Sequence, residues 1–214
     1  MRVFRLERVI PHRGLREWVE ALLIALIVAT LFRTFLFAPF EIPSGSMRPT
    51  LKVGDRLFAS RFAYGIPVPF AHTRLFEQGI ERKDIVIFPY PRNPSTDFIK
   101  RVIAVGGETV EVRGKAVYVD GTRLDEPYAY YDPRIERELK RTGRGMPDYG
   151  PVTVPHGKLF VMGDNRLNSA DSRVWGFVDA DTVEAKGTVI YWSHDPRRGW
   201  LSGYHLGRVG TILQ

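Results

Sequence analysis

Beyond residue 40 the apolar positions of this chain fall into short runs. Arg56–Tyr64, Asp84–Phe88, Phe98–Val105, Thr109–Val112, Ala116–Val119, Leu159–Met162 and Thr188–Trp192 are rich in β-branched and aromatic residues, with Gly, Pro, Asn and Asp between them. This pattern predicts a mainly β fold of antiparallel sheets, open or partly closed. Asp120-Gly121 after Ala116–Val119 is a hairpin signal. Helical character is confined to Pro133–Arg141, which is short and charged. From Asp125 to Gly150 the apolar period lapses and Tyr, Pro, Glu, Arg and Gly dominate. The expected plan is one β domain, residues 41–110 and 156–214, interrupted by a small insertion, 111–155.

Before residue 41 the pattern is different. From Trp18 to Phe40 the chain is mostly Leu, Ile, Ala, Val and Phe. As a helix that run would extend about 34 Å, close to the hydrocarbon thickness of a bilayer. Arg33 lies near enough to one end to snorkel, and Trp18, Phe35, Phe37 and Phe40 suit interfacial belts. The expectation is a transmembrane anchor over 18–40 after a basic cytoplasmic segment, 1–17. A cleaved secretory signal is the competing account, but Arg33-Thr34-Phe35-Leu36-Phe37 offers no small pair at the cleavage spacing. The arginines on the N-terminal side place residues 41–214 on the outer face of the plasma membrane, with the bilayer as a partner.

Composition narrows the classes further. The 214 residues, 44% hydrophobic and 26% charged, suit one folded domain plus an anchor. With no cysteine, disulfides, thiolate catalysis and sulfur-ligated metals are excluded. The net charge of +7 raises nucleic-acid binding, yet five arginines against two glutamates in residues 1–17 supply +3 of it. The remainder is spread over the rest of the chain without a basic, aromatic-rich run, so nucleic acid is not an expected partner. No metal-ligand spacing appears, and no cofactor is expected.

Three stretches can carry chemistry. In Pro43-Ser44-Gly45-Ser46-Met47-Arg48-Pro49-Thr50-Leu51, prolines exclude regular structure and Gly45 permits close backbone approach. The residues alone allow a nucleophile cradle or a polar linker leaving an anchor. In Phe98-Ile99-Lys100-Arg101-Val102-Ile103-Ala104-Val105, a strand apolar on both faces, Lys100 falls on the face of Phe98, Val102 and Ala104. Burial there would lower its pKa and suit it as a general base for a serine. The alternative leaves Lys100 in solvent with Arg101 buried or paired. The third, Gly163–Arg173, is either a hydrogen-bonding loop beneath a catalytic group or a turn with a surface Asp171–Arg173 pair. A Ser46, His156, Asp164 set is also nominally possible.

Together, in order and spacing, these three stretches resemble the boxes of type I signal peptidases, membrane-anchored serine proteases. The resemblance covers most of residues 40–110 and 157–214, with Arg208-Val209-Gly210 similar too. It implies Ser46 as nucleophile and Lys100 as general base. Ser44 and the Ser46 N–H would hold the oxyanion, Ser169 would orient Lys100, and Asp171 and Arg173 would pair to support that loop. Phe40, Ile42, Pro43, Met47 and Ile99 would line pockets for small side chains. The implied activity is cleavage of signal peptides from exported preproteins after Ala-X-Ala sites. No strong self-association surface stands out in the sequence, so a monomer is expected. Leu167 departs from the acidic residue many members carry, and the family's inserted β-domain is expected to be reduced. The alternatives are a membrane-tethered β-domain that binds a partner without catalysis, and a self-cleaving Ser/Lys regulator, which the absence of a DNA-binding helix pair disfavours.

Overall fold

A computed structural model describes residues 14, 17–26, 37–67, 74–75, 78–199 and 202–213. The chain divides into two units, Met1–Phe37 and Ala38–Gln214. In the first, residues 17–26 (α1) are helical, and Trp18, Leu22, Leu23, Ile24 and Leu26 expose their side chains. Among the described residues no helix is long and apolar enough to cross a membrane. Residues 27–36 of the expected anchor lie outside the described residues.

The far end of that anchor is corrected. Phe37–Glu41 is strand β1, at the edge of the main sheet beside β2 (Asp55–Ser60). The Ile42 N–H donates to Asp55 O at 2.9 Å, and Ile42 O accepts from Gly54 N–H at 2.9 Å. An apolar run does not by itself announce a strand, although Pro39, which lacks an N–H, suits an edge position.

The second unit is built on two described sheets. The larger adds β5 (Ile85–Tyr90), β6 (Asn93–Val105), β11 (Lys158–Met162), β12 (Val178–Asp179) and β13 (Ala185–Ser193), in the order β1-β2-β13-β5-β6-β11-β12. The smaller holds β7 (Thr109–Arg113), β8 (Ala116–Val119), β9 (Thr122–Arg123) and β10 (Tyr149–Thr153), in the order β10-β7-β8-β9. A separate pair joins β3 (Ile66–Pro67) to β4 (Arg74–Leu75). The strand pairings within these sheets are antiparallel, in keeping with a mainly β fold. Asp120 and Gly121 turn the β8–β9 hairpin with positive φ of 50° and 74°, the conformation its tight turn requires. Pro133–Arg141 is helix α2, N-capped by Asp132.

Strand β6 is central, with β5 on one side and β11 on the other. Side-chain clusters packed on both sides of the sheet explain the apolar character of both its faces. Phe98 and Val102 join the cluster of Val86, Phe88 and Val161, while Ile99 packs against Ile42, Met47, Leu51 and Ile87. Ile103 and Ala104 enter a third cluster that ties the smaller sheet to the larger.

Candidate active site

Lys100 is 3% exposed and stands opposite Val86 on β5. Its Nζ donates to the Ile99 carbonyl at 2.9 Å and lies 3.0 Å from the Ser46 Oγ. Burial disfavours the ammonium and lowers the pKa to about 8, against the opposing pull of Asp171 and Asp164. The reading that left Lys100 in solvent is therefore overturned. Arg101 is also buried, 1% exposed. Two successive strand residues can both be buried because β6 is covered on both faces.

Ser46 sits in a chain of turns between β1 and β2. The loop is pinned from beneath by Met47 and Leu51, both fully buried. From the other side Asn165 donates its N–H to Ser46 O at 3.0 Å and its Nδ2 to Gly45 O at 3.0 Å. Ser44 is exposed, with its Oγ 3.3 Å from the Ser46 Oγ. A hydroxyl, an amine and a second hydroxyl thus meet at one point.

The loop 163–173 is no bland surface turn. Asp171 is fully buried, caps the short helix α3 (Ser172–Trp175), and accepts the Gly163 N–H at 3.0 Å. Arg173 grips both carboxylate oxygens of Asp171 at 2.8 Å and donates to Arg166 O at 2.7 Å. Gly163 must be glycine because the chain approaches so closely. A Cβ there would lie 2.5 Å from Ser46 O and would overlap Ser169 Oγ as well.

Ser169 is brought to the site's edge but not to Lys100. Its Oγ donates to Ala170 O at 3.4 Å, and among the described residues no hydrogen bond joins it to Lys100. The Lys100 Nζ is instead engaged by Ile99 O and Ser46 Oγ. Leu167, Ser169 and Val174 line an open groove of about 460 Å³ with Ile135 and Leu139 of α2. Leu167 thus adds apolar surface where an acid would have added a hydrogen-bonding group.

The five residues expected to line pockets divide. Ile42 and Met47 are core side chains, 2% and 0% exposed, so they reach a ligand only as packing beneath others. Phe40 and Ile99 pack on that core half-buried, and Pro43 is exposed. Of the nominal His triad, the described contacts put Asp164 against Arg101 and Thr50, at 2.9 and 2.6 Å, with His156 in neither bond. Among the described residues no group of acidic or histidine side chains is placed to hold a metal.

The sequence pattern did not reveal a second charged cluster beside the site. Asp164, fully buried, accepts from Arg101 Nε and Nη2 and from the Thr50 hydroxyl. Arg101 also donates to Lys83 O and stacks 4.0 Å over Tyr128. The visible signal was a cation within an apolar strand, which required a buried acid somewhere in the chain.

Comparison with known proteins fits this arrangement. The family described as signal peptidase, peptidase S26, matches residues 15–192. A signal peptidase I from Pseudomonas aeruginosa is 34% identical, over 97% of this chain and 82% of its own. One from Bacillus amyloliquefaciens is 42% identical, over 73% of this chain and 74% of its own. A crystal structure of a signal peptidase I from Enterococcus faecalis is 36% identical and covers 51% of this chain and 97% of its own, with a TM-score of 0.42. On the extent of the family match and the 34% identity to the Pseudomonas aeruginosa relative, the chain belongs to the signal peptidase family, peptidase S26, and is a serine endopeptidase.

Proposed function

We propose that this enzyme is a signal peptidase I that cuts signal peptides from exported preproteins after Ala-X-Ala sites, with Ser46 as nucleophile and Lys100 as general base. One observation carries the reading: a lysine amine 3% exposed, with a pKa of about 8, stands 3.0 Å from a serine hydroxyl on a rigid loop. Neutral Lys100 Nζ accepts the Ser46 proton as Oγ bonds to the substrate carbonyl carbon. The oxyanion accepts hydrogen bonds from the Ser46 N–H and the Ser44 hydroxyl, a kind of contact worth ~3–4 kcal/mol per donor. The Lys100 ammonium returns its proton to the departing amine, which leaves an ester on Ser46. A water, deprotonated by Lys100, then releases the signal peptide.

Phe40, Pro43 and Ile99 offer the apolar surface for small substrate side chains over a floor of Ile42 and Met47. Asp171 and Arg173 pair to hold the loop that carries Ser169. The body of the enzyme, 41–110 and 156–214 with 111–155 inserted, acts as a monomer on the outer face of the plasma membrane. The apolar run after residue 17 tethers it to the bilayer, which raises its effective concentration for membrane-borne substrates.

The test is cleavage of an Ala-X-Ala preprotein by the full chain in detergent or lipid, beside Ser46→Ala and Lys100→Ala. The reading expects site-specific cleavage by the parent and none by the two folded variants. Equal cleavage by all three would overturn it.

A further inference from the structure

The proposed reaction leaves unused the segment between β9 and α2, which crosses from the smaller sheet to the loop beneath the serine. It starts with the Leu124 N–H on Val117 O of β8, at 2.8 Å. Glu126 then forms a two-point ion pair with Arg166, at 2.9 and 2.6 Å, with side chains 6% and 1% exposed. The Tyr128 ring lies under Arg101, 4.0 Å from Cζ, with the Arg166 guanidinium 5.9 Å away. Tyr130 adds a backbone bridge to residues 164–166: its N–H donates to Asp164 O at 2.7 Å, and its O accepts the Arg166 N–H at 2.9 Å.

Residues 164–166 in turn hold the reacting groups. Asn165 fixes the carbonyls of Gly45 and Ser46, and Arg166 O accepts the Arg173 guanidinium that grips Asp171. Burying two arginines and two acids in one small volume is a poor route to stability, since apolar side chains of similar size serve as well or better. Such a network does impose direction, because each bidentate pair and each backbone bridge accepts one geometry.

We propose that Glu126, Tyr128 and the backbone of Tyr130 form a positioning clamp for the serine–lysine pair. The clamp sets the place of Ser46 through Asn165 and the pairing of Asp171 through Arg166 and Arg173, so residues of the insertion determine turnover without touching substrate. The inference rests on Ser46 and Lys100 as the reacting pair. It adds that the insertion is part of the catalytic apparatus.

The experiment compares Glu126→Asp and Tyr128→Leu with the parent full chain in detergent. Glu126→Asp keeps both buried charges and so keeps the fold, but draws the carboxylate back by one methylene. Tyr128→Leu keeps both partners of each ion pair and removes the ring together with its hydroxyl's bond to Glu126 Oε1, at 3.2 Å. At a temperature where circular dichroism shows each variant folded, kcat falls by about tenfold to a hundredfold while KM stays near the parent value. The charges facing Lys100 are Asp171 and Asp164. Loosening Arg173 leaves Asp171 less compensated, so the midpoint of the Glu126→Asp rate against pH moves upward. Folded variants with the parent's kcat and midpoint, changed only in melting temperature, would overturn the clamp. Ser46→Ala in the same series separates the two ideas. If it is inactive while the clamp variants match the parent, only the clamp fails. If it retains activity, the reading beneath the clamp fails too.

Discussion

Lys100 and Arg101 are neighbours on one strand, both cationic by type and both shut away from water, at 3% and 1% exposure. Their surroundings differ in kind. Arg101 meets the Asp164 carboxylate at two points, a backbone carbonyl at a third and an aromatic face. Lys100 contacts a carbonyl and a hydroxyl, with the Phe98 ring 5.0 Å away, and its nearest influential acids, Asp171 and Asp164, are each spoken for by an arginine. Full pairing preserves one charge as a structural fixture. Burial without a carboxylate in contact leaves the other with a pKa of about 8. Equal burial thus yields two roles, and the difference lies in where the acids were placed.

The first way to break this contrast is to make Lys100 permanently charged. Lys100→Arg should reduce preprotein cleavage by roughly a hundredfold to ten-thousandfold, the usual range for loss of a general base, because guanidinium stays protonated. A Lys100→Arg protein that cleaves at the parent rate would end the assignment. Next comes Arg101→Met, which strands Asp164 in the interior. Its expected cost is about 3–5 kcal/mol of stability in urea unfolding, and a loss under 1 kcal/mol would mean Asp164 finds water or another donor.

Lys100→Met should act in the opposite sense. The folded pKa of about 8 lies below the ordinary value of 10.5, so the folded state releases its proton first. Stability from this group therefore rises with pH between about 8 and 10.5, and below 8 the buried charge costs about 3 kcal/mol, at 1.36 kcal/mol per unit. Removing the amine should stabilise the chain at pH 7 and flatten that pH dependence. Destabilisation at pH 7 would contradict it. The parent's kcat/KM should rise about tenfold per pH unit below the pKa and level off near pH 8. The smallest effect belongs to Asp171→Asn, in which the loss of a carboxylate that favours the ammonium should move that midpoint down. An upward shift would show that Asp171 acts on Lys100 in some other way.

Much of this was legible in the residues. The β-rich pattern located β5, β7, β8 and β11 closely, because alternation and turn residues act over a few positions. The bounds of α2 at Pro133 and Arg141 were also readable, for proline favours the first helical turn. The order of the nucleophile, lysine and loop stretches supported the family before any contact was known. Other features escaped. The strand at Phe37–Glu41 was merged with the anchor because both are apolar. The segment 124–131 showed no period because Glu126 and Tyr130 are held by residues 164–166, far along the chain, and not by a regular local pattern. Ser169 was assigned to Lys100, but its hydroxyl points to Ala170 O.

By itself the sequence determined the materials: a hydroxyl on a proline-flanked loop, a lysine in a strand with no polar face, an acid-and-arginine loop, and the strands that carry them. These follow from side-chain chemistry and short-range backbone preference. Only the tertiary structure decided which cation would be paired. Ser46 and Lys100 are 54 positions apart, and Arg101 and Asp164 are 63 apart. A pKa depends on the charges and water around a group, and those arrive from distant strands when the sheets close.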